Sequence, residues 1–276
     1  MIYTGSRLKD KLFLFYIRKI PGHPFKLRII NLLNDFVFKN AVRVKGSNGK
    51  LLQLSTREYM CHEIIFSGSY EPLTLSLCDD LLKNGGVCID IGANIGFHSI
   101  HLSFIENLKI YAIEPYFLSF QKLLSNIYLN KAKNIIPVNI GLSDKDSFGY
   151  LVNPSPANSG TFQVVDNSND DLSYLIRLGT LSEIVKHYNL PSIDLMKIDV
   201  EGFEMNVFKG FFGQNLVKPK NIIMEFSDLT ERTGYKKEEV YNYIIDQGYE
   251  AYNVLGDKFR LGDDYPEANL WFRRND

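Results

Sequence analysis

Cysteine is scarce in this chain: three in 276 residues, at Cys61, Cys78 and Cys88, with no C-x-x-C pair among them. That excludes a disulfide framework and a cysteine-built zinc site, and it points to reduced structural thiols in a cytoplasmic setting. His62 follows Cys61, but one such pair without further ligands reads as packing. Long apolar runs are missing as well. Residues 12–17 form a six-residue stretch between Lys11 and Arg18-Lys19, too short to cross a bilayer or to serve as a signal-peptide core. Acids are nearly absent from the first 57 residues, where twelve Lys and Arg face only Asp10 and Asp35. The rest of the chain carries nineteen bases against thirty acids. Such asymmetry marks a basic arm or face. Two readings stay open for it. One is a basic, aromatic-rich helix lying peripherally on an anionic membrane surface; the other is a helix that packs its apolar side on the main domain. No internal repeat, low-complexity tract or linker interrupts the chain.

Apolar residues make up 45% and aromatics 13%, enough for a full core. The most informative string is VCIDIGANIG at residues 87–96. An apolar run leads through Asp90 to a turn containing Gly92, Ala93, Asn94 and Gly96, and an amphipathic stretch follows. This pattern reads as a buried parallel strand, a tight glycine turn and a helix. The turn lacks the middle glycine of the dinucleotide loop G-x-G-x-x-G. A ligand without a phosphate fits it better, S-adenosylmethionine above all, with Asp90 facing the cationic methionine end. The same lack weighs against an NAD-dependent sugar-modifying enzyme. A second apolar strand, 109–113, ends in Glu114-Pro115. An acid about 20 residues past such a turn is placed to accept hydrogen bonds from both ribose hydroxyls.

The remaining elements can be ordered from periodicity. Residues 41–54 alternate around Gly46 and Gly49 as a β-hairpin. Residues 72–82 have helical spacing and stop at Asn84-Gly85-Gly86. Strands follow at 87–91, 109–113, 135–139, 193–198, 221–226, 249–254 and 268–273, with helices at 95–105, 117–130, 180–188, 203–210 and 236–247. The polar stretch 149–165 is expected as a loop or hairpin insertion. Alternation of strands and helices predicts an α/β fold, a Rossmann-like, mainly parallel seven-stranded sheet with helices on both faces. Its last two strands are candidates for antiparallel pairing at an edge. The division is a basic helical and hairpin extension, 1–67, followed by one catalytic domain, 68–276.

Residues 192–204 read SIDLMKIDVEGFE, an apolar strand ending in Asp199 with Glu201 and Glu204 just beyond. Ligands of doubly wound sheets bind outside the carboxyl ends of the strands, so Asp199 is expected at the same crevice as Asp90 and Glu114. Lys197 points to the same face as Asp199 and, if buried, needs a carboxylate partner. Helix capping is the alternative role for Glu201 and Glu204. Residues 221–227, NIIMEFS, repeat the pattern and place Glu225 at a strand end. Asp199 and Glu225 on neighbouring tips are the candidate ligands for a divalent metal such as Mg²⁺.

Taken together, these stretches resemble the FkbM-type family of S-adenosylmethionine-dependent methyltransferases. The resemblance rests on GSYEP at 68–72, DIGANIGFHS at 90–99, IEP at 113–115, GLSD at 141–144, NSGT at 158–161 and KIDVEGFE at 197–204. It implies a class I methyltransferase fold and O-methylation of sugar or secondary-metabolite hydroxyls. It also implies that Asp90, Gly92, Ala93, Asn94 and Gly96 surround the methionine part of the cofactor, Glu114 the ribose, and Ser143 and Asp144 the adenine. The chain has Leu181-Ser182 where that family usually has Leu-Asp. Because the sulfonium is already activated, catalysis must orient an acceptor oxygen and remove its proton. Asp199 is the expected base with Glu201 and Lys197 in support; His98 reads as a packed histidine. Two readings stay open for Tyr70 and Glu71, a lid folded over the cofactor or, for Tyr70, an aromatic residue at the entry of a helix. A nucleic-acid acceptor is not expected, since the core is acidic and no Asp/Asn-Pro-Pro-Tyr/Phe-like string for base chemistry occurs. The alternative activity is N-methylation of a nucleic acid, prompted by the basic N-terminus, or of a small-molecule amine.

Overall fold

The computed structural model describes residues 3–33, 41–56, 58–153, 162–165, 173–213 and 217–275. The chain opens with β1 (Thr4–Gly5), α1 (Leu8–Lys19), α2 (Lys26–Leu33), β2 (Ala41–Lys45) and β3 (Leu51–Ser55). The expected hairpin is β2–β3, and β1 adds a third strand in the order β1-β2-β3. Next come α3 (Tyr59–Ser67), which the sequence reading did not anticipate, and α4 (Pro72–Leu82).

Then the alternating core begins with β4 (Gly86–Ile91), α5 (Phe97–Leu102), β5 (Leu108–Ile113), α6 (Phe117–Asn130) and β6 (Ile135–Val138). Helix α5 is shorter than the expected 95–105. Gly96, at φ +84°, precedes its first turn, and the Ser103 N–H closes it on the Ser99 carbonyl. After β6 the chain makes β7 (Gly141–Leu142), β8 (Ser147–Val152), β9 (Gln163–Val165) and β10 (Tyr174–Gly179), a separate four-stranded sheet in the order β7-β10-β8-β9. The expected insertion is thus a hairpin, β8–β9, paired antiparallel. Its tip and the motif Asn158-Ser159-Gly160-Thr161 lie outside the described residues.

The core resumes with α7 (Leu181–His187), β11 (Leu195–Ile198), α8 (Glu204–Phe212), β12 (Asn221–Glu225), a 3₁₀ turn at Asp228–Thr233, α9 (Lys237–Asp246), β13 (Tyr249–Asn253) and β14 (Asn269–Arg274). Thr180 starts α7 with a capping box: its hydroxyl accepts from the Glu183 N–H while Glu183 reaches back. The main sheet has seven strands in the order β13-β14-β12-β11-β4-β5-β6. Strands β6, β5, β4, β11 and β12 are mutually parallel, and β14 inserts antiparallel between β12 and β13.

Side chains alternate across this sheet. Ile89, Ile91, Tyr111, Ile113, Met196, Ile198, Ile222 and Met224 enter one core with α7, α8 and α9. Cys88, Ile110, Ala112, Leu195 and Ile223 enter the other, which also contains Phe13, Leu14 and Ile17 of α1 and Leu75 and Cys78 of α4. The N-terminal extension therefore shares a core with the sheet. Arg18 fixes it further, donating from Nε to the Ile65 carbonyl at 2.7 Å and from its two terminal nitrogens to Tyr3 and Ile64. Among the described residues no helix is long and apolar enough to cross a membrane.

Candidate active site

The cleft lies over the carboxyl ends of β4, β5 and β11, where the chain leaves the sheet. At the β4 end, the N–H groups of Gly92 and Ala93 both donate to the Ile113 carbonyl at 2.9 Å, which ties the glycine turn to the tip of β5. Gly92 has φ +80°, and a Cβ there would stand 1.8 Å from the Asp199 carbonyl oxygen. Only glycine lets the β4 turn approach β11 this closely. Glu114 sits across from the turn, buried, with its carboxylate accepting from the N–H groups of Asn94 and Tyr116 at 2.8 Å each. Burial raises its pKa to about 7 although those two hydrogen bonds pull it down. Two accepted bonds leave further lone pairs on this carboxylate for ligand hydroxyls.

On the β11 side, register places Lys197 directly beside Asp90. Lys197 is 3% exposed, and its ammonium lies 3.3 Å from the Asp199 carboxylate. Burial disfavours its charge, but Asp199, Glu71 and Asp90 outweigh that and hold it protonated well beyond the usual lysine range. Glu71 precedes α4 at φ +42°. Its Oε2 comes within 3.1 Å of His98 Nε2. Although partial burial pushes Glu71 up, His98 and the Lys197 charge keep its pKa down at about 2.

Beyond Asp199 the acids change character. Glu201, at φ +55°, has its pKa raised to about 7 by burial and by Asp199, against the pull of Arg232. Burial and the neighbouring acids raise Glu204 to about 7 and Glu225 to about 8. Gly202 makes the bend between these acids: at φ +104°, a Cβ would meet the Leu229 carbonyl oxygen at 2.3 Å. Asn94, Glu71 and Glu201 are non-glycine residues in the left-handed region, and strain of that kind collects at functional sites.

Of the residues expected from sequence, Tyr70, Gly92, Ala93, Asn94, Glu114, Lys197, Asp199 and Glu201 line the cleft together. The others stand behind it. Asp90 is not among the lining residues. It is buried beside Lys197, its register partner on β11, and accepts from the Ser99 hydroxyl of α5 at 2.6 Å. Gly96 opens α5 against Leu123. Ser143 and Asp144 come just after the lining segment of Ile140, Gly141 and Leu142; the Ser143 N–H closes on Gly179 and its hydroxyl donates to Asp144 at 3.1 Å.

Among the described residues the expected metal pair, Asp199 and Glu225, has no further His, Cys, Asp or Glu grouped with it into a set of three, and Lys197 already supplies a cation to Asp199.

Sequence reasoning missed the wall opposite the glycine turn. Tyr116 and Phe162 pack with ring centres 3.8 Å apart, Tyr174 stands edge-on to both, and Tyr116, Phe162, Leu151 and Val164 line the cleft. Tyr116 directly follows Glu114-Pro115, which was the available signal. His98, read as packing, also lines the cleft on its Tyr70 side.

Comparison with known proteins adds to this geometry. Residues 90–251, more than half of the chain, match the model of the methyltransferase FkbM domain. The chain belongs to the FkbM methyltransferase family. Three curated relatives are similar to it. The AMB antimetabolite synthetase AmbE of Pseudomonas aeruginosa is 26% identical over 237 residues, covering 72% of this chain and 11% of that protein. The hexuronic acid methyltransferase AglP of Haloferax volcanii is 34% identical over 123 residues, 44% of this chain and 48% of the relative. The methyltransferase sdnD of Sordaria araneosa is 26% identical over 189 residues, 56% and 73%. The chain thus spans about a tenth and about half of the length of the first two. Within this FkbM domain the serine of Leu181-Ser182 has a structural account: its hydroxyl is buried and donates to the Gly210 carbonyl at 2.7 Å, tying α7 to α8.

Proposed function

We propose that this chain is an S-adenosylmethionine-dependent O-methyltransferase acting on a hydroxyl of a sugar-type acceptor. The observation that carries the reading is the pairing, across one cleft, of the Gly92–Asn94 turn and buried Glu114 with the Lys197–Asp199–Glu201 group. The donor side suits a nucleoside: Glu114 keeps lone pairs for the ribose hydroxyls, and Tyr116 and Phe162 offer an aromatic wall for a base. The similarity to a hexuronic acid methyltransferase supports a sugar acceptor.

When bound, S-adenosylmethionine supplies a methyl carbon already activated by its sulfonium. The chain's own residues then have to hold an acceptor oxygen in line and take its proton. Asp199, the base expected from sequence, is engaged by Lys197 and serves better as the group that fixes that ammonium. Glu201 lines the cleft with a pKa raised to about 7, close to the value a general base needs at neutral pH. We assign it the acceptor proton, which passes on to solvent after transfer. Lys197, held in place by Asp199, Glu71 and Asp90, donates to the acceptor oxygen and orients it.

The test is to incubate the purified chain with methyl-labelled S-adenosylmethionine and a panel of neutral sugars and uronic acids. Label is expected in alkali-stable ether linkages. Glu201→Gln should lower turnover about 10²- to 10⁴-fold with cofactor affinity unchanged. Label appearing only on amines, or undiminished turnover in Glu201→Gln, overturns the acceptor or the base respectively.

A further inference from the structure

We propose that the exposed faces of α1 and α2 form a docking surface for an anionic lipid bilayer. Helix α1 is apolar on two opposite sides. One stripe, Asp10, Phe13, Leu14 and Ile17, is buried against the protein. The other, at the same i, i+4, i+7 spacing, shows Leu8 75%, Leu12 62% and Phe15 58% exposed. Lys11 and Lys19 are exposed and fall on that outer stripe. The ammonium of Lys26 binds the carbonyls of Ile17 and Ile20, so α2 starts at the end of α1. It adds Leu27 at 73% exposure, the preceding Phe25, Leu32 and the exposed Arg28. Large side chains grouped this way on a surface mark an interaction site.

Charge selects the occupant. Asp10 is the only acid in residues 1–33, and it is buried beneath the Arg7 guanidinium, which donates to it at 2.7 and 2.9 Å. The outer face therefore carries Lys11, Lys19 and Arg28 with no acid from its own segment. A second copy docking on this patch by two-fold symmetry would bring the same cations together. An anionic bilayer meets both features, accepting the leucines and phenylalanines among its acyl chains and the cations at its headgroups. A twelve-residue helix held by Arg18 to α3 lies along such an interface and does not span it.

The experiment is flotation of the full chain with vesicles of phosphatidylcholine alone or with added phosphatidylglycerol, at low and high salt. The protein is expected to float with the anionic vesicles at low salt and to be released by high salt, as screening shortens the reach of the charges. Leu8→Ser/Leu12→Ser/Phe15→Ser should lower the vesicle-bound fraction about tenfold or more, and Lys11→Glu/Lys19→Glu should remove the preference for anionic lipid. Near-ultraviolet circular dichroism of both variants checks that the core is intact. Three results overturn the proposal. The wild-type chain fails to float with anionic vesicles at low salt, the triple variant floats as well as wild type, or sedimentation shows a wild-type dimer that the triple variant lacks.

Discussion

On the β4–β5 side of the cleft, the groups available to a ligand are backbone N–H groups, a glycine turn and one buried carboxylate that is already hydrogen-bonded. On the β11–β12 side they are a buried ammonium and several carboxylates whose ionisation depends on one another. The first side is shaped by chain geometry, and its properties change little when one charge changes. The second is balanced: Lys197 keeps Asp199, Asp90 and Glu71 company, while Glu201, Glu204 and Glu225 sit with raised pKa values in each other's field. A fixed side suits a ligand that is the same at every turnover, and a charge-tuned side suits proton transfer.

Removing the cation at the centre of the charged side should produce the largest effect. Lys197→Met leaves buried carboxylates without their partner and is expected to cost about 3–5 kcal/mol of stability at pH 7, read by denaturant unfolding. Glu71 has a depressed folded pKa, so its contribution is present above its unfolded value and lost as pH falls toward about 2. The deficit of the variant should accordingly shrink in acid. A loss below about 1 kcal/mol at pH 7 would mean that the acids are not organised by Lys197.

Glu114→Ala probes the fixed side. It removes charge-assisted acceptors from the donor site and should weaken S-adenosylmethionine binding about tenfold to a hundredfold by calorimetry. Stability should fall by about 1–3 kcal/mol, because the N–H groups of Asn94 and Tyr116 lose their buried acceptor. Unchanged affinity in the folded variant would move the ribose site elsewhere.

A third comparison uses pH. Glu201 and Glu225 have folded pKa values of about 7 and 8, above their unfolded values. Their contribution is therefore full below an unfolded pKa of about 4.3 and declines as pH rises through the folded values. Glu225→Gln should stabilise the protein by about 1–2 kcal/mol at pH 8.5 and hardly at all at pH 4; melting curves at the two pH values measure it. Equal shifts at both would show that the acids are not coupled. The smallest effect is expected at Asp144, which lies beyond the lining wall. Asp144→Ala should leave cofactor affinity within about threefold, and a larger loss would extend the fixed side past Leu142.

Much of the fixed side was legible in the sequence, because the strand-turn-helix pattern and the acid at the next strand end are local features. Seven strands, their helices and the edge position of the last two follow from periodicity and from the rule that parallel strands need crossovers. The four-stranded second sheet was not legible. Its β7 and β9 are two and three residues long, and β10 is half-exposed with no clean alternation. Helix α3 carried a local signal that was missed, since its buried Cys61, Ile64 and Ile65 fall at i, i+3 and i+4. Asp90 carried its own signal. It shares a face with Cys88, one residue out of step with Ile89 and Ile91, and that alternation puts it beside Lys197 of β11.

By itself the sequence determined the glycine at 92, the acids at 114, 199 and 201, and the order of strands and helices, since backbone conformation and burial are written in neighbouring residues. Tertiary structure alone decided which carboxylate answers to which charge. Asp90, Glu71, Lys197 and Asp199 come from three separate stretches of chain, and only the sheet register and the approach of α4 place one ammonium among them. The same holds for the pKa values of Glu201 and Glu225, which depend on burial and on neighbours across strands. A pKa measures surroundings, and surroundings exist only once the chain has folded.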